Sequence, residues 1–322
     1  MKIAIVAGGN SSECGVSLKS AKGIMEFIPD KYEKYIVTVI GKNWNVQTSD
    51  NEQSTVDKND FSFILNGEKA YFDFAYITIH GTPGENGILQ GYFDLIGMPY
   101  SCCGVLAAAL TFDKFVCSNF LKNFDINISK SILLRENKNI DSELIIKDFG
   151  LPLFVKPSNG GSSFGITKVK EINQLQPAVD KAFAESCEVM IESFISGVEV
   201  TCGMYKTKEK SVIFPVFELE YDADFFDYDA KYNGKSREFP AKSISVEIQK
   251  EIQQTTAKIY DLINAKGIIR VDYIVEKNGK IVLLEVNTTP GMTPQSFIPQ
   301  QIRAAGLNIA GVMQEIIENS II

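Results

Sequence analysis

The sequence predicts an α/β amino-terminal region built on a parallel sheet, followed by α+β regions. First, apolar strand-like segments alternate with helical ones near the amino terminus, in the order KIAIVAG, VSLKSAKGIMEFI, YIVTVI and FAYITIHG. Second, the middle of the chain combines helical segments with the strand-like pieces LPLFVKPS and GITKVK. Third, two β-branched runs near the carboxyl terminus flank Asn278-Gly279, which is a strong hairpin signal.

The chain length and composition favour several domains. A chain of 322 residues that is 45% hydrophobic can bury a large core, and its length predicts two or three domains. The turn-rich segment MPYSCCG ends the first alternating region, and a small α+β module follows it as far as the helical INQLQPAVDKAFAES. We therefore predict three domains, over residues 1–102, 103–187 and 188–322.

The charge and the cysteines restrict the classes of partner. A formal net charge of −8 and a pI near 5.0 argue against a nucleic-acid-binding surface. The apolar run at the amino terminus reaches Gly8-Gly9 too soon for a signal peptide or a membrane span. The six cysteines form no C-x-x-C pair, which favours reduced thiols over disulfides or a zinc site. We expect a cytoplasmic protein that binds neither nucleic acid nor membrane.

The carboxy-terminal hairpin, RVDYIVEKNGKIVLLEVN, places polar side chains in otherwise apolar strands. A two-residue turn at Asn278-Gly279 would make Lys277 face Lys280, and side chains alternate along each strand. Counting back from this turn puts four polar residues on one face, with Asp272 opposite Glu285 and Arg270 opposite Asn287. The other face would carry Val271, Tyr273, Val275, Val282, Leu284 and Val286.

The polar face of this hairpin has two interpretations. Directly opposed carboxylates repel each other, so the face needs a compensating charge. Asp272, Glu285 and Asn287 offer the oxygen ligands that Mg²⁺ prefers when it is shared with substrate phosphates. Alternatively, the face is solvated and Arg270 neutralises one of the acids. The hairpin by itself leaves both interpretations open.

The segment FVKPSNGGSSFGITKV predicts two strands joined by a Gly/Ser loop. Backbone N–H groups of such a loop can hold phosphate, and Gly160 and Gly165 have the spacing of a P-loop. However, Ile166 stands where a P-loop has its lysine, and a strand-like run follows instead of a helix. The loop is either a plain hairpin connection or a different kind of phosphate-binding loop, and Lys156 just before it favours the second interpretation.

Acidic residues farther along the chain extend this candidate site. Glu192 and Glu199 flank a Gly turn in apolar strands, where either could instead be a solvated edge residue. Together with Lys114 and Lys156 they indicate a nucleotide site, with lysines for phosphates and acids for ribose and adenine.

Two polar residues of the amino-terminal region stand just past predicted strand ends. They are Glu13 and His80, the only histidine of the chain. Ligands of parallel sheets bind at the carboxyl ends of the strands, which favours a functional position for both. A lone histidine is often structural, so the sequence leaves that alternative open for His80.

The order of the motifs resembles the ATP-grasp superfamily, and more closely the D-alanine:D-alanine ligase family. The similarity covers nearly the whole chain, because the motifs follow one another in the family's order. They are AGGNSSECGVSL, IHGTPGENGILQG, TFDKF, FVKPSNGGSSFGITKV, IESFISGVEVT, FFDYDAKY and RVDYIVEKNGKIVLLEVNTTPGMTPQSFIP. Several long motifs in this order are far more specific than any one of them.

The resemblance implies an ATP site between the central and carboxy-terminal domains. By motif position, its residues are Lys114, Lys156, Ser162, Glu192, Phe194, Ile195, Glu199 and Lys231. The lysines would meet the phosphates, Glu192 the adenine amino group and Glu199 the ribose. Two Mg²⁺ ions, for which Mn²⁺ would substitute, would be held by Asp272, Glu285 and Asn287.

The resemblance also implies a subsite for a first D-alanine. Its ammonium group would be held by Glu13, with His80 nearby. Its carboxylate would attack the γ-phosphate of ATP to give an acyl phosphate. Hydrogen bonds among Glu13, Ser162 and Tyr232 would close the loop over the site.

A second D-alanine would supply the attacking amine. Arg270 and the backbone N–H of Gly291 would stabilise the oxyanion formed in this step, and Ser296 would bind the carboxylate of the second substrate. Phe297, beside Ser296, replaces the leucine usual in the family and could reshape this subsite. Asn86 and Cys14-Gly15 are further departures from the family pattern.

The function implied by the resemblance is ATP-dependent synthesis of D-alanyl-D-alanine for peptidoglycan, by a cytoplasmic enzyme that is expected to form a homodimer. One alternative is another carboxylate–amine ligase on the same fold, or a ligase that uses D-lactate as acceptor. Another alternative is a nucleotide-binding regulatory protein with a decayed site, which the complete set of acids and lysines argues against.

Overall fold

The computed structural model describes residues 1–49, 52–161, 164–221 and 236–321. The helices are α1 (Cys14–Phe27), α2 (Ile88–Leu95), α3 (Val105–Phe112), α4 (Lys114–Lys122), α5 (Ser142–Phe149), α6 (Leu175–Phe183), α7 (Val246–Leu262), α8 (Phe297–Ala304) and α9 (Ile309–Ile321). No helix in these ranges combines the length and the apolar character that a membrane crossing requires.

The amino-terminal region contains the predicted parallel sheet, with two antiparallel strands added at one edge. Its strands are β1 (Lys2–Gly8), β2 (Glu33–Ile40), β3 (Asn43–Ser49), β4 (Glu52–Thr55) and β7 (Phe74–Ile77). A separate small hairpin pairs β5 (Phe63–Leu65) with β6 (Glu68–Ala70). The sheet order is β4-β3-β2-β1-β7, and β1 pairs in parallel with both of its neighbours. Since helices and loops cover β1, its apolar run is buried throughout.

The central sheet is antiparallel, in the order β10-β9-β11-β8. Its strands are β8 (Ser131–Leu134), β9 (Leu153–Pro157), β10 (Thr167–Val169) and β11 (Val189–Ser193). Helix α6 packs on this sheet through Leu175, Val179 and Ala182, which belong to one apolar cluster with Val155 and Ile191. The predicted pair of strands on either side of the Gly/Ser loop is confirmed as β9 and β10.

The carboxy-terminal sheet has the order β15-β14-β12-β16-β17, with β13 beside β12. Its strands are β12 (Gly197–Lys206), β13 (Ser211–Ile213), β14 (Phe217–Tyr221), β15 (Ser236–Pro240), β16 (Ile269–Glu276) and β17 (Ile281–Asn287). One face of this sheet is covered by α7, α3 and α4, whose apolar side chains share a core with β12, β16 and β17. The predicted fold class, α/β followed by α+β, is confirmed.

The hairpin of β16 and β17 has the predicted polar pairs but reaches them by a different register. Glu276, not Lys277, pairs with Lys280, and the loop ends at Gly279 with a positive φ of 87°. The register then shifts by one residue between Asp272 and Tyr273, which leaves Leu284 as the extra residue of a bulge. The longer loop and the bulge each move the register by one residue in opposite directions, so their effects cancel.

As a result, Asp272 lies opposite Glu285 and Arg270 opposite Asn287, as predicted. The predicted composition of the apolar face is wrong for β17. Val286 joins the core with Tyr273 as predicted, but Ile281 and Leu283 take the places expected for Val282 and Leu284. The physical reason is the bulge, since one extra residue exchanges the two faces of a strand.

The three regions contact one another around the polar face of this hairpin. Residues of α1, β1 and β7 share an apolar cluster with Ile298 and Ile302 of α8 and with α9. The division into three domains remains a prediction. Because β11 belongs to the central sheet, its pairing favours a second boundary after Ser193 rather than after Cys187.

Candidate active site

A cavity of about 760 Å³ lies where the amino-terminal sheet, the Gly/Ser loop and the carboxy-terminal hairpin meet. Glu13 reaches it from the start of α1, and His80 from the chain just after β7. Arg270, Glu285 and Asn287 enter it from the hairpin. Residues far apart in the sequence thus surround one space, at the carboxyl ends of β1 and β7 as expected.

The hairpin carboxylates are held close together by basic and amide groups. Arg270 donates two hydrogen bonds to Asp272, Nε to Oδ1 at 2.9 Å and Nη2 to Oδ2 at 2.8 Å. The amide nitrogen of Asn287 lies 3.1 Å from Asp272 Oδ2 and 3.5 Å from Glu285 Oε1. Lys114 Nζ lies 3.5 Å from Glu285 Oε2. Although burial alone would lower the pKa of Arg270, Asp272 and Glu285 raise it above its ordinary value.

This arrangement combines both interpretations of the polar face. Arg270 does neutralise Asp272, and Arg270, Glu285 and Asn287 line the cavity with partly buried side chains. Within the described ranges, no group of three or more His, Cys, Asp or Glu could hold a metal. The predicted metal ligands, Asp272, Glu285 and Asn287, are two carboxylates and one amide. The Asn287 amide nitrogen links the two carboxylates, and the set suits a hard cation such as Mg²⁺ when the amide turns its oxygen toward them.

Glu13 connects the first strand end to the Gly/Ser loop. The residue is buried, and a Cβ added at Gly161 would lie only 2.3 Å from its Oε2 atom. The loop therefore approaches the carboxylate with bare backbone, which only glycine permits. The hydroxyl of Ser11 donates to the carbonyl of His80 at 2.8 Å, and the backbone N–H of Glu13 donates to Ser11 Oγ at 3.3 Å. This contact holds Glu13 and His80 side by side.

His80 lies buried beside Glu13 and Arg270. Burial lowers the pKa of the imidazole, and the positive charge of Arg270 lowers it further, whereas Glu13 opposes the shift. Its Nε2 atom has no hydrogen-bond partner among the described residues. A neutral imidazole with an unused nitrogen can serve a bound polar substrate.

The predicted site for the second D-alanine lies at the start of α8. Ser296 precedes this helix, and its Oγ atom lies 2.8 Å from Thr293 Oγ1. A Cβ added at Gly291 would lie 3.0 Å from Ser296 Oγ, so these two residues are adjacent. The ring of Phe297 lies 5.4 Å from the guanidinium carbon of Arg270. The residue that departs from the family pattern therefore packs against the arginine expected to hold the oxyanion.

The predicted nucleotide residues lie mostly on the central sheet, outside this cavity. Lys156 of β9 forms a buried ion pair with Glu192 of β11. The ring of Phe194 lies 6.0 Å from that of Phe154, and the ammonium of Lys168 lies 4.1 Å from the centre of the Phe194 ring.

The remaining nucleotide residues are spread along this region of the chain. Ile195 follows β11, and Glu199 lies in β12 opposite Ile274. Lys114 joins the two parts of the site, since its ammonium donates to the carbonyl of Gly160 at 2.6 Å and also faces Glu285.

Three predicted site residues, Ser162, Lys231 and Tyr232, lie outside the described residues. Their predicted roles therefore remain expectations from the family resemblance. The same holds for the network that was predicted to link Glu13 to Ser162 and Tyr232.

Two carboxyl groups of the cavity were not predicted from the sequence. Burial raises the pKa of Glu85 to about 8, helped by the negative charge of Glu13, and Glu85 Oε2 accepts a 2.7 Å hydrogen bond from the Gly81 N–H. Burial also raises the pKa of Glu238 to about 7. Glu85 belongs to the HGTPGENG motif, which could have indicated it. No sequence motif marks Glu238, and its position in the cavity depends on the packing of β15 against α8.

Comparison with known proteins is consistent with this geometry. A family model described as the D-ala D-ala ligase N-terminus matches residues 2–103, and the corresponding C-terminus model matches residues 120–318. The chain is 60% identical over 318 residues to the D-alanine–D-alanine ligase of Bacteroides fragilis, a match that covers 98% of each chain.

Solved structures give the same result. The crystal structure of D-alanyl-alanine synthetase A from Vibrio cholerae superimposes with a TM-score of 0.90 at 27% identity, covering 100% of this chain and 98% of that one. The D-alanine–D-alanine ligase from Bacillus anthracis, complexed with ATP, has a TM-score of 0.77 at 27% identity, covering 99% and 97%. The predicted ATP-grasp architecture is thereby confirmed, and the chain belongs to the D-alanine–D-alanine ligase family.

Proposed function

We propose that the protein joins two molecules of D-alanine into D-alanyl-D-alanine, with conversion of ATP to ADP and phosphate. The observation that carries this proposal is the single cavity that brings Glu13 and His80 together with Arg270 and the start of α8. An amino-acid ammonium has a carboxylate partner at one end of this space, and a second substrate has a helix N-terminus at the other. The identity of the family supports D-alanine as the substrate at both ends.

In the first step, Glu13 holds the ammonium group of the first D-alanine. The substrate carboxylate then points toward the hairpin, where it attacks the γ-phosphate of ATP and forms an acyl phosphate. Lys114 neutralises charge at this point, because its ammonium lies between the Gly/Ser loop and Glu285. Phosphoryl transfer depends mainly on such positioning and charge neutralisation.

In the second step, the second D-alanine loses a proton from its ammonium group and the resulting amine attacks the acyl carbon. The C–O bond to phosphate breaks, and phosphate leaves with the proton released as the amide forms. Arg270 is already oriented by Asp272 and by the Phe297 ring, so it can stabilise the oxyanion without reorganising. Ser296 and the positive end of α8 bind the carboxylate of the acceptor.

We propose that Asp272, Glu285 and Asn287 hold two Mg²⁺ ions, for which Mn²⁺ substitutes. Bound there, the ions would neutralise the phosphate oxygens during transfer. We place ATP between the central and carboxy-terminal sheets, near Lys156, Glu192, Phe194, Ile195 and Glu199, with Ser162 and Lys231 as further contacts. The product would serve peptidoglycan synthesis in the cytoplasm.

We also propose a homodimer. Exposed apolar side chains on α2 and α3 support it, since Leu95 is 88% exposed and Leu106 81% exposed, and Ile88 stands two turns before Leu95. Apolar side chains grouped on adjacent helices are typical of interfaces. Sedimentation of the native protein and of a Leu95→Lys/Leu106→Lys variant would test this. A native monomer at micromolar concentration would refute it.

The experiment that tests the main proposal is ADP release measured with a panel of D-amino acids, L-amino acids and D-lactate. We expect rapid release with D-alanine alone and much slower release with the L-enantiomer. The alternative function, a ligase with D-lactate or another acceptor, predicts that ADP release rises strongly only when that acceptor is added. ATP binding without any ADP release would instead favour the regulatory alternative.

A further inference from the structure

Glu238 is a carboxyl group of the cavity to which the family motifs assign no role. It lies in β15, the edge strand of the carboxy-terminal sheet, and its side chain lines the cavity together with Arg270, Phe297 and Gln300. Its Oε2 atom accepts a 2.8 Å hydrogen bond from Gln300 Nε2. Gln300 also donates to the carbonyl of Gln295 at 2.6 Å, so its amide is fixed from two sides.

This contact places Glu238 next to the acceptor subsite. Gln300 is one helical turn after Ser296, and its backbone N–H donates to the Ser296 carbonyl at 3.3 Å. One turn of helix rises about 5.4 Å. An α-amino acid whose carboxylate lies at Ser296 therefore has its ammonium group within reach of a carboxylate bound to Gln300.

The charges around Glu238 favour a cationic ligand. Among the described residues, Arg270 is the cation whose charge favours ionisation of Glu238. However, both side-chain hydrogen bonds that Arg270 donates go to Asp272. Asp272 itself opposes ionisation of Glu238, and burial raises the pKa of Glu238 to about 7. No described residue donates a hydrogen bond to Glu238 Oε1. A partly buried carboxylate in this situation is stabilised by a charged donor.

We propose that Glu238 binds the ammonium group of the second D-alanine and thereby selects amine acceptors over hydroxy acids. This inference rests on the proposed function and deepens it. Ser296 and the start of α8 hold the acceptor carboxylate, while Glu238, oriented by Gln300, holds the other charged group. A hydroxy acid has no positive charge to offer this carboxylate, so Glu238 contributes nothing comparable to its binding.

The alternative is that Glu238 only supports the fold around α8 and Arg270. The two roles differ in one respect. A supporting residue would affect every acceptor equally, whereas an ammonium-binding residue would affect only charged amine acceptors. Hydroxylamine, which is uncharged near pH 7.5 and traps acyl phosphates as hydroxamates, separates the two roles.

The test is a competition between D-alanine and hydroxylamine as acceptors, with ATP, Mg²⁺ and the full-length protein. The products, D-alanyl-D-alanine and D-alanyl hydroxamate, share the donor step and are separated by chromatography. We expect Glu238→Gln to lower the dipeptide-to-hydroxamate ratio tenfold or more, in line with the loss of a charge-assisted hydrogen bond. Hydroxamate formation should stay within about twofold of native.

Two variants complete the design. Glu238→Asp keeps the charge and should keep the ratio within about threefold of native. Glu220→Gln removes the same charge from an exposed position of the neighbouring strand β14 and should leave the ratio unchanged. Three outcomes would overturn the inference. They are an unchanged product ratio in Glu238→Gln, an equal loss of both products in that variant, and a Glu238→Asp variant that is as impaired as Glu238→Gln. Absence of dipeptide from the native protein would instead refute the proposed function.

Discussion

The buried ion pair between Lys156 and Glu192 leads to a prediction that separates stability from nucleotide binding. Only 10% of the Lys156 side chain and 8% of the Glu192 side chain are exposed. The residues belong to the adjacent antiparallel strands β9 and β11, in the middle of the central sheet. Each charge is therefore shielded from water and depends on the other.

The substitution Lys156→Met keeps the length of the side chain but leaves Glu192 as a buried carboxylate without its cation. Removing one partner of a buried pair costs about 3–5 kcal/mol, whereas replacing both partners is often nearly neutral. We therefore expect Lys156→Met to lower the free energy of unfolding by about 3–5 kcal/mol, and Lys156→Met/Glu192→Gln to recover most of this loss. ATP affinity should fall tenfold or more in both variants, since neither supplies a cation for the phosphates.

Urea unfolding followed by circular dichroism measures the stability, and calorimetric titration measures the affinity for ATP. Lys130→Met is the matched control, because Lys130 pairs with Asp148 on the same region but the two side chains are 51% and 56% exposed. An exposed pair contributes less than about 1 kcal/mol, so this variant should match the native protein in both measurements.

Two results would refute the reasoning. If Lys156→Met were as stable as the Lys130→Met control, the pair would not be energetically coupled as its burial indicates. If the double variant recovered ATP affinity together with stability, Lys156 would act on the nucleotide only through the fold.

Three further predictions concern the cavity. Glu285→Gln should keep the fold and lose more than about 90% of the activity, because a metal ligand loses its charge; full activity at ordinary Mg²⁺ concentration would contradict this. Glu85→Gln should leave the free energy of unfolding nearly unchanged near pH 4 and increase it near pH 9 by on the order of a few kcal/mol, as measured by urea unfolding at both pH values. The sign follows because the pKa of Glu85 is raised from 4.5 to about 8 in the fold, so the native protein loses stability as the pH rises through this range. Tyr232→Phe should raise the depsipeptide share when D-alanine and D-lactate compete, as measured by thin-layer separation of the products; a native enzyme that makes mostly D-alanyl-D-lactate at pH 7.5 would contradict the assignment.

Local patterns in the sequence determined the fold class and the core of the candidate site. The alternation of apolar and polar residues determined which side chains of the hairpin share a face, so Asp272 and Glu285 were correctly placed opposite each other. The count from the turn gives this pair because the longer loop and the bulge at Leu284 each move the register by one residue in opposite directions. The apolar runs of β1, β2 and β7 likewise predicted a parallel sheet, since a strand covered on both faces has few polar positions.

The loop length and the exact strand register of the same hairpin could be determined only from the tertiary structure. Its loop is one residue longer than predicted, and a bulge at Leu284 restores the polar register. No sequence signal marks this bulge. The packing of Leu283 and Val286 in the core shared with α3 and α4 selects the register, because a shift by one residue would move both side chains out of that core.

Only the tertiary structure decided which distant residues meet. It placed Gly161 against Glu13, Lys156 against Glu192 and Glu238 against Gln300, although each pair is separated by dozens of residues or more. It also decided the charge state of two carboxyl groups in the cavity, because the raised pKa values of Glu85 and Glu238 come from burial. The sequence by itself determined which chemical groups are present and which of them share a strand face. The burial and the distances that give those groups their charge state exist only when the three sheets are packed together.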